Sequence, residues 1–543
     1  MSTVGSRRKS LVFPGILIFV MMIASCSSSS VGGGSVDVPE CDLVITGGRV
    51  IDPLTGFDDL AAVGILGDSI ERIATDAEEA ASLVDRAARV IDASGLVVSP
   101  GFINTHTHEG DIQESMKVFV KDGITTWIGG NCGASYHPLS EFYGALEADG
   151  IPNNYASLTG LNTLRSLAGL DAFEPATETE ITEMVQMLSE DMEAGGMGIS
   201  FGSYYGPGCT TEEMIATASE AAAHGGMAAS HIRDNLFNLE SLGLPNYILN
   251  AQYLQEAIDT ARAADVPYIV SHLTDITYGN GTTGFALGSI AQAIHTEGLR
   301  MAVDVIGFDS FPNDFYTIIR YGTIPIGILM AMAEAVPSDF QVTEDVFIDG
   351  NLFMEAYEYL ACLDQAETLL AAIEAGEAES PGVLCHIIKP ANTMLALAEP
   401  FVFIGNDGAV TIDPDTGEPA GHPRSAGAFA RFIGRWSRDH GVMNLMQALY
   451  KATAAPAVWF GLEDKGRLQE GADADIVVFD ADAIIDRATT EVGRMLDPPE
   501  GISYVIVNGI VVVDQNDLTG EMPGEPIRRT WAVPGIHAGL DFP

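Results

Sequence analysis

A chain of 543 residues, 47% hydrophobic and 19% charged, has enough apolar material for one large barrel with additions or for two or more ordinary domains, and its composition excludes a disordered or fibrous protein. Lys and Arg number 26 against 75 Asp and Glu, a formal charge of −49. Such a surface repels phosphate backbones and anionic headgroups, which excludes nucleic acid as a partner, and its self-repulsion suits a marine or otherwise salt-rich setting.

The chain opens on Arg7, Arg8 and Lys9, then an apolar run from Leu11 to Ser25. A run of about 15 residues falls short of the ~20 needed to span a bilayer. Basic, apolar, then small residues in that order predict a secretory signal peptide. Its end, Ile23-Ala24-Ser25-Cys26, resembles a bacterial lipobox. Residues 1–25 are therefore expected to be a lipoprotein-type signal peptide, with Cys26 lipidated, and the Ser- and Gly-rich residues 26–39 a flexible tether. The expectation is an exported protein of the bacterial cell envelope that meets the membrane only through its lipid anchor.

From Cys41 to Arg49 and from Ala61 to Ile73, apolar and polar residues alternate between Gly-rich turns, which predicts short antiparallel strands. The pattern returns at Ala474–Phe479 and Ile502–Val513, the second broken by the hairpin dipeptide Asn508-Gly509. Residues 40–98 and 461–543, the latter including a C-terminal tail, are thus expected to build one small β-sandwich domain from both chain ends. Between them, apolar strands ending near Asn104, Asn131, Leu161, Ser203, His231, His272, Ile306 and Asn406 alternate with helical stretches such as Thr211–His224 and Tyr253–Ala264. These units predict an α/β fold with a (β/α)8, TIM-like barrel over residues 99–460. The longest connection, residues 309–399, is too long for a plain loop and is expected to be an insertion over the barrel mouth.

In such a barrel the chemistry sits at the C-terminal strand ends. His106-Thr107-His108 closes the first strand, with both imidazoles on one side by strand alternation. Cys132 follows the second strand, His231 the fifth, His272 the sixth and Asp407 the eighth. Four His, one Cys and one Asp at one rim suit zinc. The histidines His137, His224, His295, His440 and His537, and the cysteines Cys41, Cys209, Cys362 and Cys385, lie in no ligand-like pattern and read as surface or packing residues. Six cysteines are too few for a disulfide framework in a chain this long.

The stretch Ser99–His108 (SPGFINTHTH), Gly129–Gly133 (GGNCG), Ser230–Asp234 (SHIRD), Ser271-His272 and Asn406–Gly408 resembles the amidohydrolase superfamily, and most closely its D-aminoacylase (N-acyl-D-amino-acid deacylase) branch. His422-Pro423-Arg424 through Arg435, and Gly461-Leu462 with Gly471–Asp475, extend the resemblance over roughly Cys41 to Arg529. It implies zinc-dependent hydrolysis of a C–N amide bond in a small-molecule acyl amide, first of all deacylation of N-acyl-D-amino acids. It also implies one tightly bound Zn2+ on Cys132, His231 and His272, with His106, His108 and Asp407 around a weaker second metal position. Many amidohydrolases bridge two metals with a carboxylated lysine on strand four. This chain has no lysine between Lys121 and Lys389, which excludes that arrangement and disfavours hydantoinase and dihydroorotase readings.

Three protein ligands leave zinc an open position, and zinc lowers the pKa of its water from ~15.7 to about 7. On this reading Asp407 takes the water proton and returns it to the leaving amine. Either His106 or His108 stabilises the developing oxyanion where a second metal is absent. Arg424 is the expected receiver of a substrate carboxylate, with Arg165 and Arg233 as lesser candidates. The chain departs from the family pattern at that carboxylate: Thr274 replaces a Lys after strand six, Ile306 to Phe308 replace a Tyr-bearing segment after strand seven, and Leu161 replaces a His after strand three. These departures leave open another linear or cyclic amide or a dipeptide as substrate. In a different class, they leave open a non-catalytic, lipid-tethered binding protein on the same barrel.

Overall fold

The computed structural model describes residues 41–529 except 234–236, 239–247, 250, 278–280, 316–325, 415 and 492. Cys26, the signal and tether segments, and His537 lie outside the described residues.

The first strands are β1 (Cys41–Asp52), β2 (Phe57–Leu66), β3 (Ser69–Ala74), β4 (Ala87–Asp92) and β5 (Val97–Pro100). They share one nine-stranded sheet with the late strands Ile476–Phe479, Ile502–Val507, Ile510–Asp514 and Asp517–Leu518. A sandwich would have two facing sheets; here a single ladder runs through both chain ends, and the reason lies in β1. Its register shifts between Ile45 and Gly48, and it pairs antiparallel with β2 on one side and parallel with β4 and then β5 on the other. β5 pairs antiparallel with Ile476–Phe479, so the last strands prolong the ladder begun by the first. Ile45, Val63, Val98, Ile476 and Ile506 pack in one buried cluster, each such side chain contributing ~1.5–3 kcal/mol.

A buried polar knot ties this sheet to the middle of the chain. Asp475 accepts from Lys465 Nζ at 2.9 Å, Asn154 Nδ2 at 3.0 Å and Asn508 N at 2.9 Å. Lys465 Nζ also lies 2.8 Å from Asp473 Oδ2, so loss of Asp475 leaves the ammonium one partner, and breaking this buried pair costs ~3 kcal/mol, the low end of the usual range. Asp475→Ala is therefore expected to lower the unfolding free energy by about that amount in a urea titration; a loss under ~1 kcal/mol would assign the knot no more than a surface pair's role.

The middle of the chain is α/β. Its strands are β6 (Phe102–Asn104), β7 (Ile124–Gly129), β8 (Asn154–Ser157), β9 (Thr159–Gly160), β10 (Gly198–Gly202) and β11 (Met227–His231), followed by Tyr268–Val270, Met301–Val305 and Val402–Ile404. β7, β10 and β11 are buried along their whole length, as parallel strands covered by helices should be. Thr177 with Glu180 and Thr210 with Glu213 form capping boxes that start the helices Glu178–Glu193 and Thr211–Ala223.

The parallel ladder comes in two pieces, β6–β8 and β9 through Val402–Ile404. The break falls at Leu158, inside the expected third strand. Gly130 stands against it with φ 72°, and a Cβ there would lie 1.9 Å from Leu158 O. Only glycine allows the loop carrying Cys132 to run so close to the third strand. At the opposite side, Asn104 Oδ1 accepts from Asn406 N at 3.0 Å and Asp407 N donates to His106 O at 2.8 Å, bringing the first and last strand ends together. Within residues 309–399, Phe311–Asp314, Phe340–Val342 and Gly382–Cys385 form a three-stranded antiparallel sheet, with helices at Leu363–Ala375 and Pro390–Leu397.

Candidate metal centre

The strand ends converge on one buried cluster. Cys132 Sγ lies 3.4 Å from His106 Nε2 and 3.4 Å from His272 Nε2. His106 Nε2 is 3.4 Å and His108 Nε2 3.0 Å from Asp407 Oδ1. Three overlapping triads have ligand atoms within 4.8 Å of one another: His106, His108 and Cys132; Cys132, His231 and His272; His106, His272 and Asp407. A thiolate and an imidazole on one tetrahedral zinc are separated by ~3.5 Å, so the Cys132–His272 spacing fits that metal. Most buried polar atoms in proteins are paired, yet His231 Nδ1 is buried without a hydrogen-bond partner, as is His272 Nδ1, the ring nitrogen other than the Nε2 that faces Cys132. An unpartnered His231 nitrogen in the same triad as the Cys132 sulfur and His272 is the donor chemistry zinc takes.

The backbone is bent to make this meeting possible. Cys132, His272 and Asp407 have φ of 51°, 33° and 46°, a left-handed conformation that costs a residue with a Cβ ~1–2 kcal/mol. Such strain persists where neighbouring structure over-determines it. Asp304, at the end of Met301–Val305, supplies part of that restraint: Oδ1 accepts from His272 N at 2.7 Å, and Oδ2 lies 3.1 Å from His106 Nδ1. The second contact turns His106 Nε2 toward Cys132 and Asp407. Asp304→Ala is expected to weaken zinc binding ~10–100-fold, the usual cost of losing a group that orients a ligand. Competition against a chromogenic chelator would read it, and unchanged affinity would remove Asp304 from the centre.

The charges are mutually supporting. Burial raises the Cys132 thiol's pKa, but His106 and His272 outweigh it and hold the group well below a free cysteine. Burial works against the Asp407 carboxylate too, yet Arg424 and His106 keep it well below the usual range. His231 moves the other way, to about 4, through burial and the neighbouring His272. Arg424 Nη1 sits 2.7 Å from Asp407 Oδ2. Beside this cluster is a cavity of about 200 Å³, whose wall includes His108, His231, His272, Asp407, Arg424 and Asp275.

Residues 404–513 match the amidohydrolase family. Over 529 residues the chain is 30% identical to the D-aminoacylase of Alcaligenes xylosoxydans xylosoxydans, covering 90% of this chain and 98% of that protein. The chain belongs to the D-aminoacylase branch of the amidohydrolases. The N-acyl-D-glutamate deacylase of the same organism is also 30% identical, with 91% and 98% of the two chains covered. The crystal structure of an N-acyl-D-glutamate deacylase from Bordetella bronchiseptica, complexed with zinc and a phosphonate mimic of the tetrahedral intermediate, matches with a TM-score of 0.73 at 27% identity. It covers 90% of this chain and 100% of its own.

In this D-aminoacylase-branch chain the six expected metal and catalytic residues meet, while two of the expected arginines do not join them. Arg165 is buried against Glu213 and donates to Asp171 O at 3.1 Å. Arg233 pairs with Glu256 at 2.8 Å and donates to Pro207 O at 3.0 Å. Both charges are neutralised within the scaffold, which corrects their expected part in substrate binding. Arg424 does reach the cavity, and His422 positions it by accepting from Arg424 N at Nδ1 (3.1 Å) while Nε2 faces Ser310 Oγ at 3.1 Å. Among the unpatterned histidines, His137 pairs with Asp191 at 2.9 Å and His224 with Glu220 at 3.1 Å. Asp304, Asp275 and the tyrosines Tyr204 and Tyr205, whose rings lie 4.8 and 5.0 Å from that of His231, do not stand out in the sequence. Asp304 does carry one signal there: a lone carboxylate inside the apolar strand Met301–Val305 has to be paired when buried.

Proposed function

We propose that this chain is a zinc-dependent deacylase of N-acyl-D-amino acids or related acyl amides. The observation that carries the reading is the convergence of Cys132, His231 and His272 in one buried triad, with His231, His272 and Asp407 on the wall of the adjoining cavity, in a chain that covers nearly the full length of a D-aminoacylase. Cys132, His231 and His272 would hold a zinc ion, whose chemistry there would be to acidify a water and polarise the amide carbonyl. Asp407 takes the proton as the water oxygen bonds to the carbonyl carbon. When the C–N bond breaks, Asp407 passes that proton to the departing nitrogen, leaving a carboxylic acid and an amine. His108, with its side chain 32% exposed, reaches the substrate and supports the carbonyl oxygen, whereas His106, at 0%, can only brace Asp407 and Cys132. His106, His108 and Asp407 would hold any weaker second metal. Arg424 faces the substrate and aims Asp407.

The test is metal analysis of the full chain, followed by amine release from a panel of N-acetyl-D- and N-acetyl-L-amino acids and their amides. Zinc-dependent turnover of D-configured substrates is expected. A chain without bound metal or turnover would be the non-catalytic binding protein instead.

The two parallel sheets are arcs of one (β/α)8 barrel over residues 99–460, supported by the contacts between β6 and the residues after Val402–Ile404. The described residues of 41–98 and 461–529 form the accessory β-domain, and those of 309–399 the insertion over the mouth. The chain is exported and lipid-anchored through Cys26; no described helix is long and apolar enough to cross a membrane. Mass spectrometry of the mature N-terminus should find diacylglycerol on Cys26, and an unmodified N-terminus elsewhere would refute the anchor.

A further inference from the structure

The charged wall of the cavity has an unusual balance. Asp275 enters it from the turn Leu273–Asp275 that follows Tyr268–Val270, and Thr274 Oγ1 donates to Asp275 Oδ1 at 3.2 Å. Arg424 Nη1 lies 3.8 Å from Asp275 Oδ2 and 2.7 Å from Asp407 Oδ2. Among the described lining residues, then, two carboxylates face one guanidinium, and no lysine lines the wall. The apolar lining comes from Ile276, Phe311 and Pro312. Arg165 and Arg233 are engaged by Glu213 and Glu256. A substrate carboxylate entering here meets two like charges, with the cation already between them, and like-charge juxtaposition disfavours a ligand strongly. An N–H donor instead finds a buried acceptor in Asp275, and charge-assisted hydrogen bonds of that kind are among the stronger polar contacts.

Building on the acyl-amide reading above, we propose that Asp275 selects substrates whose amine-derived half carries an N–H donor, a carboxamide or an ammonium group, in place of a free α-carboxylate. Asp275 thereby acts as a specificity residue, while Asp407 and the metal ligands carry out the bond cleavage.

The test uses the zinc-loaded full chain with N-acetyl-D-leucine, its primary carboxamide and a mono-N-acetylated diamine. Assays run at about pH 8, well above the ordinary carboxylate range. At least one of the two N–H-bearing substrates is expected to exceed the carboxylate in kcat/KM by about tenfold or more, and the two arms distinguish the carboxamide from the ammonium. Asp275→Asn is expected to narrow that gap, with the ammonium substrate losing most. A second readout needs no turnover: calorimetry on the metal-free protein should find D-leucinamide binding more tightly than D-leucine. If the deacylase reading fails and none of the three amides is cleaved, this binding preference still decides the role of Asp275. Preference for the carboxylate in the assay or in calorimetry, or an unchanged ratio in a folded Asp275→Asn, overturns the proposal.

Discussion

Asp407→Asn is expected to lower kcat/KM by ~10²–10⁴, the range a positioned general base contributes, while leaving the zinc content unchanged. The asparagine keeps the shape of the side chain and can still accept from His108, whose Nε2 lies 3.0 Å from Asp407 Oδ1. It cannot take a proton from water. The native carboxylate can, because Arg424 at 2.7 Å and the adjacent imidazoles hold it ionised in spite of its burial. The informative measurement pairs kcat/KM with metal analysis on the same preparation. Near-normal turnover with metal bound would move the base elsewhere; a parallel loss of zinc would make Asp407 a ligand of the tight site.

Cys132→Ser is expected to weaken zinc binding more than ~100-fold, beyond what loss of an orienting group costs, and to abolish turnover at stoichiometric zinc. A serine hydroxyl is not deprotonated near neutrality, whereas His106 and His272 hold the Cys132 thiol in its thiolate form. Cys132 also spans both halves of the centre, 3.4 Å from an imidazole on each side, so its loss removes a ligand and separates two histidines. Cys209→Ser and Cys385→Ser serve as controls: both cysteines are buried, and burial raises their thiols away from ionisation. Zinc affinity in these two should stay within about twofold of wild type, well inside the span an orienting group commands.

The strand ends were legible because an α/β chain with short turns repeats a local pattern. β6 and β11 end where that pattern put them, at Asn104 and His231, and the other expected ends fall within two residues of those observed. His106, His108 and Cys132 were legible for the same reason: their place in the chain is their place at a strand end. Asp275 was not, since an acidic residue after a strand has no periodicity to set it apart, and Asp304 showed only that a carboxylate inside the apolar strand Met301–Val305 needs a partner, not which one. Their roles appear only when His106 and His272, from other strands, are brought beside them. Arg424 was identified by its motif, yet the motif says nothing of what it faces. Its guanidinium faces the cavity and lies between Asp407 and Asp275, so the charges it meets come from residues far away in the chain.

The single β-sheet was hidden for a related reason. Alternation predicts which face of β1 is buried, but the chain end that extends the ladder depends on a register shift at Ile45/Gly48 and on β5 pairing across more than half the chain. Local periodicity carries no information about pairing over such separations.

What the sequence determined by itself is the chemistry available: an acidic chain with zinc-type ligands at successive strand ends, and no lysine in the middle to support a carboxylated bridge. The kinds of donor depend only on residue identity and the strand period. What tertiary structure alone decided is which donors share a centre and which charges cancel. Those distances are set by left-handed backbone at Cys132, His272 and Asp407, and by hydrogen bonds such as Asp304 to His272, between residues far apart in the chain. A shift of about one ångström there would separate ligands that a single zinc must hold at ~2.0–2.3 Å.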